Sequence, residues 1–212
     1  MAEKKKKSAL RENIEAIVIA IIIAMFIRTF IIQAFKIPSG SMLQTLQIGD
    51  QILVNKFIYG VKIPFTDGKT LIQVENPKKG DIVVFKFPED PSKDFIKRVI
   101  ATGGDTLEIR EKKIYVNGKL VDGKPYAVYG DSTIYPPYYP DPNKARRDNL
   151  QKITIPENKI FVMGDNRDNS YDSRFWGFVD LTAVRGKAII IYWSWNKNKF
   201  GVRWNRLGHL IK

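Results

Sequence analysis

A long apolar segment near the N-terminus limits the architectures that this chain can adopt. In residues 16–35 only Arg28, Thr29 and Gln33 are polar, and the segment follows a basic cluster at Lys4–Lys7. A helix of about 20 residues rises about 30 Å, which matches the hydrocarbon thickness of a bilayer. The segment is too long and too apolar for the core helix of a small soluble domain. It also lacks the small-residue end of a cleavable signal peptide. We therefore predict one transmembrane signal anchor over residues 16–35.

Arg28 would lie near the middle of the membrane if the whole segment spans it. On an insertion scale this arginine costs about 3 kcal/mol, whereas the Ile, Val and Phe residues together contribute about −4 to −7 kcal/mol. Insertion is therefore still favourable. Because basic N-termini stay in the cytoplasm, we expect a single-pass protein of the plasma or inner membrane. Residues 1–15 would be cytoplasmic, and residues 36–212 would form an extracytoplasmic domain.

The charge of the chain indicates what this domain faces. The sequence has 35 Lys and Arg residues against 22 Asp and Glu residues, a net charge of +13, of which residues 36–212 carry +10. A basic domain tethered to a bilayer is expected to face anionic lipid. Nucleic-acid binding is the alternative, but no helix-turn-helix, zinc-finger or RNP pattern supports it. We predict an anionic lipid surface as a partner, and no nucleic acid.

The residue types that the chain lacks narrow its chemistry. It has no cysteine, and His209 is its one histidine. This composition excludes disulfides, a cysteine nucleophile and a His-rich metal centre. If the chain is a hydrolase, its general base is expected to be a residue other than histidine.

Beyond residue 50, short runs rich in β-branched and aromatic residues alternate with turn signals, which is typical of an antiparallel β domain. Asn117-Gly118 is a type I′ hairpin signal. We expect an accessory excursion over residues 106–158, of which residues 122–150 are rich in Tyr and Pro. The last segment, Trp193–Lys212, fits either a membrane-interface surface or a solvated basic tail. The predicted strands are Gln51–Tyr59, Asp81–Phe87, Phe95–Ala101, Thr106–Arg110, Lys113–Val116, Lys119–Val121, Lys159–Met163 and Lys187–Trp193.

The first candidate chemical motif is Ile37–Leu46, which contains Ser39-Gly40-Ser41. Gly40 allows the backbone to turn where a side chain would clash. Such a turn can expose Ser41 and direct backbone N–H groups at a developing oxyanion. By itself the motif fits a juxtamembrane linker better.

The second motif is Asp94–Ile100, which contains Lys97. On a strand both faces of this segment are apolar apart from Lys97 and Arg98. Keeping a lysine neutral at pH 7 costs about 4.6 kcal/mol at its ordinary pKa, and burial can lower that pKa by about 3–5 units. A neutral lysine can act as the general base for a serine hydroxyl. The alternative is a lysine that extends from a strand edge into water.

The third motif is the polar segment Gly164–Gly177. An EF-hand loop is excluded, because no register places the required Gly and Glu correctly. Asp172 and Arg174 can form a buried pair that orients their neighbours. Ser170 can hydrogen-bond a lysine amine.

Together the three motifs resemble the type I signal peptidases, a family of membrane-bound Ser–Lys proteases. The resemblance covers nearly the whole chain after the anchor. It also includes Asp81–Phe85, Phe95–Asp105 and Arg203–Arg206. The resemblance implies a mostly β, signal-peptidase-like fold behind one N-terminal transmembrane helix.

The resemblance also implies the roles of the site residues. Ser41 would be the nucleophile and Lys97 the general base, with no metal or organic cofactor. The substrates would be secreted preproteins, cut at their signal peptides after small-x-small motifs. The oxyanion hole would use Ser39 and Ser41, the dyad would be supported by Ser170, Asp172 and Arg174, and the substrate pockets would be lined by Phe35, Ile37, Leu46, Val84, Phe95 and Ile96.

Two other functions would fit parts of this sequence. A self-cleaving Ser–Lys repressor-type protease would lack the anchor and carry a DNA-binding module. A non-enzymatic membrane-anchored binding domain would leave the match of all three motifs unexplained.

Overall fold

The structure is a computed structural model that describes residues 9–62, 70–72, 74–121, 123 and 125–211. The basic cluster Lys4–Lys7 and the rest of residues 1–8 lie outside the described residues. The helices are α1 (Ala9–Phe26), α2 (Pro142–Asp148) and α3 (Ser173–Trp176). The strands are β1 (Ile32–Lys36), β2 (Asp50–Asn55), β3 (Val61–Lys62), β4 (Thr70–Ile72), β5 (Ile82–Phe87), β6 (Asp90–Thr102), β7 (Thr106–Arg110), β8 (Lys113–Val116), β9 (Lys119–Leu120), β10 (Leu150–Thr154), β11 (Lys159–Met163), β12 (Val179–Asp180), β13 (Val184–Asn196), β14 (Gly201–Val202) and β15 (His209–Leu210).

The N-terminal helix is long and apolar enough to cross a membrane. Helix α1 continues through one π-helical turn at Ile27–Ile31, and residues 10–31 have a mean hydropathy of 2.5 with none of the most apolar part buried. The helical segment thus begins and ends earlier than the predicted residues 16–35. It ends because β1 pairs with β2 from Ile32 onward. Arg28 therefore lies near the end of the helix and not at its middle, contrary to the expectation from the sequence.

A large sheet forms the centre of the domain. Its strand order is β1-β2-β13-β5-β6-β11-β12, and β14 and β15 also pair with β13. The strand pairs of this sheet run antiparallel, which confirms the predicted fold class. Strand β2 alternates buried and half-buried residues, whereas β5, between β13 and β6, is buried at nearly every position. Strand β2 therefore has one covered face, and β5 is covered on both faces.

The excursion predicted after residue 106 contains a second, smaller sheet, with strand order β10-β7-β8-β9. Asn117 and Gly118 both have positive φ, 52° and 75°, and Val116 pairs with Lys119. The predicted hairpin at Asn117-Gly118 is therefore confirmed. Helix α2 and strand β10 were not predicted, and the side chain of Asp141 caps α2 by accepting hydrogen bonds from two backbone N–H groups.

The predicted strand Gln51–Tyr59 is shorter in the structure. Strand β2 ends at Asn55, and a single 3₁₀ turn follows at Phe57–Tyr59. The reason is local, because Asn55 Oδ1 accepts hydrogen bonds from the N–H groups of Phe57 at 2.9 Å and Ile58 at 3.1 Å. An asparagine side chain that bonds the backbone ahead of it competes with strand pairing.

Candidate active site

The turn that carries Ser41 is fastened to the core on both sides. Ile37 and Leu46 are buried, and Met42, next to Ser41, is only 1% exposed. Backbone hydrogen bonds join Ile37 to Asp50, and Leu46 to Met42. This segment is therefore an ordered turn of the domain and not a loose linker.

Ser41 and Lys97 are in contact. Lys97 Nζ lies 2.7 Å from Ser41 Oγ and donates a hydrogen bond to it, and a second bond of 3.1 Å goes to the carbonyl of Ile96. Lys97 is 4% exposed and belongs to β6, at the position where this strand passes from an exposed half to a buried half. The Phe95 ring also lies near the amine, at 5.4 Å from its centroid. The two residues are 56 positions apart in the chain, and the fold brings them within hydrogen-bond distance.

The amine of Lys97 is poised to lose its proton near neutral pH. The pKa of Lys97 is lowered from 10.5 to about 8, and burial is the largest cause. The positive charge of Arg174 also lowers this pKa, whereas the negative charges of Asp172 and Asp165 raise it. Each pKa unit corresponds to about 1.4 kcal/mol, so the cost of a neutral lysine at pH 7 falls to about 1.4 kcal/mol. A lysine of this kind can act as a general base.

The segment 164–177 docks against the serine turn. The Asn166 N–H donates to the Ser41 carbonyl at 3.1 Å, and Asn166 Nδ2 donates to the Gly40 carbonyl at 3.0 Å. Gly164 permits this approach, because a Cβ at that position would overlap the Ser41 carbonyl oxygen and Ser170 Oγ. The segment thus positions the backbone that carries the Ser41 hydroxyl.

Asp172 and Arg174 form the buried pair that the sequence predicted. Arg174 Nε and Nη2 donate to the two carboxylate oxygens at 2.8 and 2.9 Å, and the Gly164 N–H donates to the same carboxylate at 3.0 Å. Burial would raise the pKa of Asp172, but the Arg174 charge and the hydrogen bonds outweigh it and hold that pKa below its usual value. The carboxylate therefore remains ionised, and its charge acts on Lys97.

A second buried pair, Arg98 with Asp165, was not predicted from the sequence. Arg98 Nε and Nη2 each lie 2.8 Å from a different Asp165 oxygen, and Thr45 Oγ1 donates to this carboxylate at 2.6 Å. The pair connects the strand that carries Lys97 with the segment after β11 and the serine turn. The available signal was that Arg98 follows Lys97 on a strand whose faces are otherwise apolar.

Two other predicted site residues lie nearby but make weaker contacts. Ser39 Oγ is 3.5 Å from Ser41 Oγ. Ser170 Oγ is buried and makes no hydrogen bond to Lys97, and it lies near the Asp172 carboxylate, whose pKa it helps to lower. The expected bond between Ser170 and the lysine amine is thus not formed in this structure.

A groove of about 490 Å³ lies beside Ser41 and Lys97. Of the predicted pocket residues, Phe95 and Ile96 line it. Ile37, Leu46 and Val84 lie in the adjoining hydrophobic core instead, and Phe35 packs against that core. Six further lining residues were not among the predicted site residues, namely Pro38, Gly40, Asp94, Asn166, Asn169 and Tyr171.

Within the described ranges, no group of three or more His, Asp or Glu side chains is placed to hold a metal ion. A serine hydroxyl against a buried lysine of lowered pKa can perform nucleophilic acyl transfer. The site thus places a candidate serine nucleophile beside a candidate lysine base.

The comparisons with known proteins give the family. The model of the family described as signal peptidase, peptidase S26, matches residues 10–193, so the chain belongs to this family. It is 39% identical to a signal peptidase I of Pseudomonas aeruginosa, over 82% of this chain and 69% of that protein. It is 36% identical to a signal peptidase I of Aquifex aeolicus, over 87% of this chain and 85% of that protein. A solved signal peptidase I from Enterococcus faecalis is 28% identical, with a TM-score of 0.40, and the match covers 53% of this chain and 97% of that one.

Proposed function

We propose that this chain is a membrane-bound serine endopeptidase that removes signal peptides from secreted preproteins, with Ser41 and Lys97 as its catalytic dyad. Membership of the signal peptidase family supports the activity. The observation that carries the assignment of the dyad is the 2.7 Å contact between Lys97 Nζ and Ser41 Oγ at a buried position.

The chemistry uses Lys97 first as a base and then as an acid. Neutral Lys97 takes the hydroxyl proton of Ser41 as Oγ attacks the scissile carbonyl carbon. The tetrahedral intermediate collapses, the C–N bond breaks, and Lys97 gives its proton to the leaving amine. Lys97 then takes a proton from a water molecule that attacks the ester and gives it to Ser41 Oγ as the C–Oγ bond breaks, which releases the signal peptide and restores the Ser41 hydroxyl and neutral Lys97.

The oxyanion of the intermediate needs donors close to Ser41. We assign this role to the Ser41 backbone N–H and the Ser39 hydroxyl, which is 3.5 Å from Ser41 Oγ. One donor of this kind contributes about 3–4 kcal/mol to catalysis.

The two buried Arg–Asp pairs act as positioning residues. Asp172 with Arg174 holds Gly164, against which the serine turn packs. Arg98 with Asp165 joins the lysine strand to the same segment. Ser170, buried beside Gly164, completes this support of the dyad.

The groove would hold the residues that precede the cleaved bond. Phe95 and Ile96 are its apolar wall, which favours small side chains and cleavage after small-x-small motifs. Phe35, Ile37, Leu46 and Val84 form the apolar layer behind this wall. An apolar lining also keeps water from the amine of Lys97.

The anchor determines where the enzyme works. The apolar helix supports a single span, with residues 1–15 in the cytoplasm and residues 36–212 on the outer side of the plasma or inner membrane. The +10 charge of the outer part supports its contact with anionic lipid. Enzyme and preprotein then share the plane of the membrane, which raises their effective concentration.

The proposal is tested by incubating the detergent-solubilised full chain with a preprotein and reading the cut site by mass spectrometry. Ser41→Ala and Lys97→Ala are expected to lower kcat/KM by at least about a thousandfold, since each removes a group that bonds to or moves a proton for the reacting atoms. Lys93→Ala is the matched control, because Lys93 is an exposed lysine of the same strand, and it should retain activity. Full processing by Lys97→Ala would refute the assignment of the base.

A further inference from the structure

A second cavity lies where the anchor helix meets the central sheet. Its volume is about 760 Å³, and none of its lining residues lines the groove beside Ser41. Its polar lining consists of Arg28, Thr29, Gln33 and Lys56, and its apolar lining includes Ile32 and Leu53. We refer to it as the junction cavity.

The charged residues of the junction cavity are both cations. Lys56 Nζ donates a hydrogen bond of 2.6 Å to the carbonyl of Thr29. In the described part of the chain, neither Arg28 nor Lys56 forms an ion pair with a carboxylate. Burial lowers the pKa of Lys56, and the positive charge of Arg185 lowers it further. An anion in this cavity would thus supply a counter-charge that the described residues do not provide.

The position of the cavity indicates the source of that anion. The apolar helical segment covers Leu10–Ile31, and Arg28 is three residues before its end. At 1.5 Å per residue, Arg28 is about 5 Å from the end of the span. Lipid phosphates lie just beyond the hydrocarbon boundary. The lining by Ile32 and Leu53 offers apolar contact at the depth where an acyl chain begins.

We infer that the junction cavity binds the phosphate of an anionic glycerophospholipid, with Arg28 and Lys56 as its ligands. The hydroxyl of Thr29 and the amide of Gln33 can donate further hydrogen bonds to the headgroup. This binding goes beyond the peptidase activity and does not depend on the chemistry of Ser41 and Lys97.

The test is native mass spectrometry of the full chain in detergent, titrated with phosphatidylglycerol. A cation near an anionic headgroup contributes about fivefold in affinity. Arg28→Gln and Lys56→Gln are therefore each expected to weaken retention of this lipid about fivefold, and the double variant about 25-fold. Lys36→Gln is the matched control, since Lys36 is an exposed cation at the end of β1 that does not line the cavity. It should retain the lipid within about twofold of wild type.

Further arms separate the sources of the anion. Phosphatidylcholine carries the same phosphate but no net charge, so it should bind more weakly than phosphatidylglycerol and lose less affinity in the Arg28 and Lys56 variants. Inorganic phosphate should not displace the lipid. Lys56→Arg keeps the charge and should retain the lipid, which controls for loss of the bond to Thr29.

Equal loss in Lys36→Gln and Lys56→Gln, no loss in the double variant, or displacement of the lipid by millimolar inorganic phosphate would each overturn the inference. Preprotein cleavage, measured on the same samples, reports the proposed peptidase activity separately.

Discussion

At the scale of single residues, burial and nearby charges act on the Lys97 amine in opposite directions. Burial disfavours the protonated amine, while Asp172 and Asp165 favour it. Each of these carboxylates is itself bonded by an arginine, so its effect on the amine is reduced. The outcome is a lysine whose pKa is lowered to about 8.

This value leads to a prediction for the pH dependence of cleavage. Lys97 must be neutral to accept the Ser41 proton, so activity requires pH above its pKa. We expect kcat/KM to rise about tenfold per pH unit below pH 8 and to level off above it. Measurement with a preprotein between pH 6 and pH 10 would check this. A curve that continues to rise until pH 10 would show that burial does not lower the pKa of the base.

The same residues show why part of the site is not predictable from the sequence. Ser41, Lys97 and the pair Asp172–Arg174 lie within local motifs that resemble a known family. Arg98 and Asp165 are 67 positions apart, and only the pairing of β6 with β11 brings their ends together. Ile37, Leu46 and Val84 were expected in a substrate pocket on the basis of the family resemblance. Which apolar residues enter the core depends on the packing of the whole sheet.

At the scale of elements, the Tyr- and Pro-rich excursion supports the back of the site. The Val128 N–H donates to the Asp165 carbonyl at 2.7 Å, and the Arg167 N–H donates to the Val128 carbonyl at 2.8 Å. The Tyr126 ring lies 3.8 Å from the Arg98 guanidinium. This segment therefore covers the pair of Arg98 with Asp165 and is more than a surface loop.

Removal of the Tyr126 ring should consequently weaken both stability and catalysis. A cation–π contact that is shielded from water contributes about 2 kcal/mol, so we expect Tyr126→Ala to lower the free energy of unfolding by at least about that amount. The comparison is Tyr138→Ala, in the same excursion, because Tyr138 is 88% exposed and its loss should have little effect. Thermal unfolding in detergent and preprotein cleavage would measure the two effects, and equal behaviour of the two variants would contradict this role.

The ends of the short apolar strands were predicted to within a residue, whereas the ends of the long strands β6 and β13 were not. Patterns of β-branched residues locate β5, β7, β8 and β11, because such strands are apolar and bounded by turn residues. Strand β6 begins earlier than predicted, with an exposed polar half that carries no apolar signal. Helix α2 was missed because it is one short, polar segment whose N-cap at Asp141 is its main signal.

At the scale of the whole molecule, the anchor and the sheet are directly joined. Strand β1 begins at the residue after the helical segment, with no linker between them. Lys56, just after β2, donates its backbone N–H to the Ile31 carbonyl at 2.8 Å and its amine to the Thr29 carbonyl at 2.6 Å. The end of the helix is thus held to two adjacent strands of the sheet.

A flexible insertion at this junction should relax the choice of cleavage site. We expect a Gly-Ser insert of about six residues between Ile31 and Ile32, which can extend by about 20 Å, to allow cuts farther from the apolar segment of the preprotein. Mass spectrometry of the products would report the positions. The same insert in the loop around Lys197, far from the helix in the chain, serves as the control. Unchanged cut positions in the junction variant would show that the direct connection has no such role.

Because the helix joins the strand directly, the distance between the end of the helix and Ser41 can vary little. Strand β1 extends about 17 Å from the end of the helix, and Ser41 lies only a few residues beyond it. We therefore expect Ser41 to stay at a nearly constant height above the membrane surface. On this basis, a peptide bond in a folded, exported domain is expected to remain uncut even within a small-x-small sequence, because it would lie above the height of Ser41.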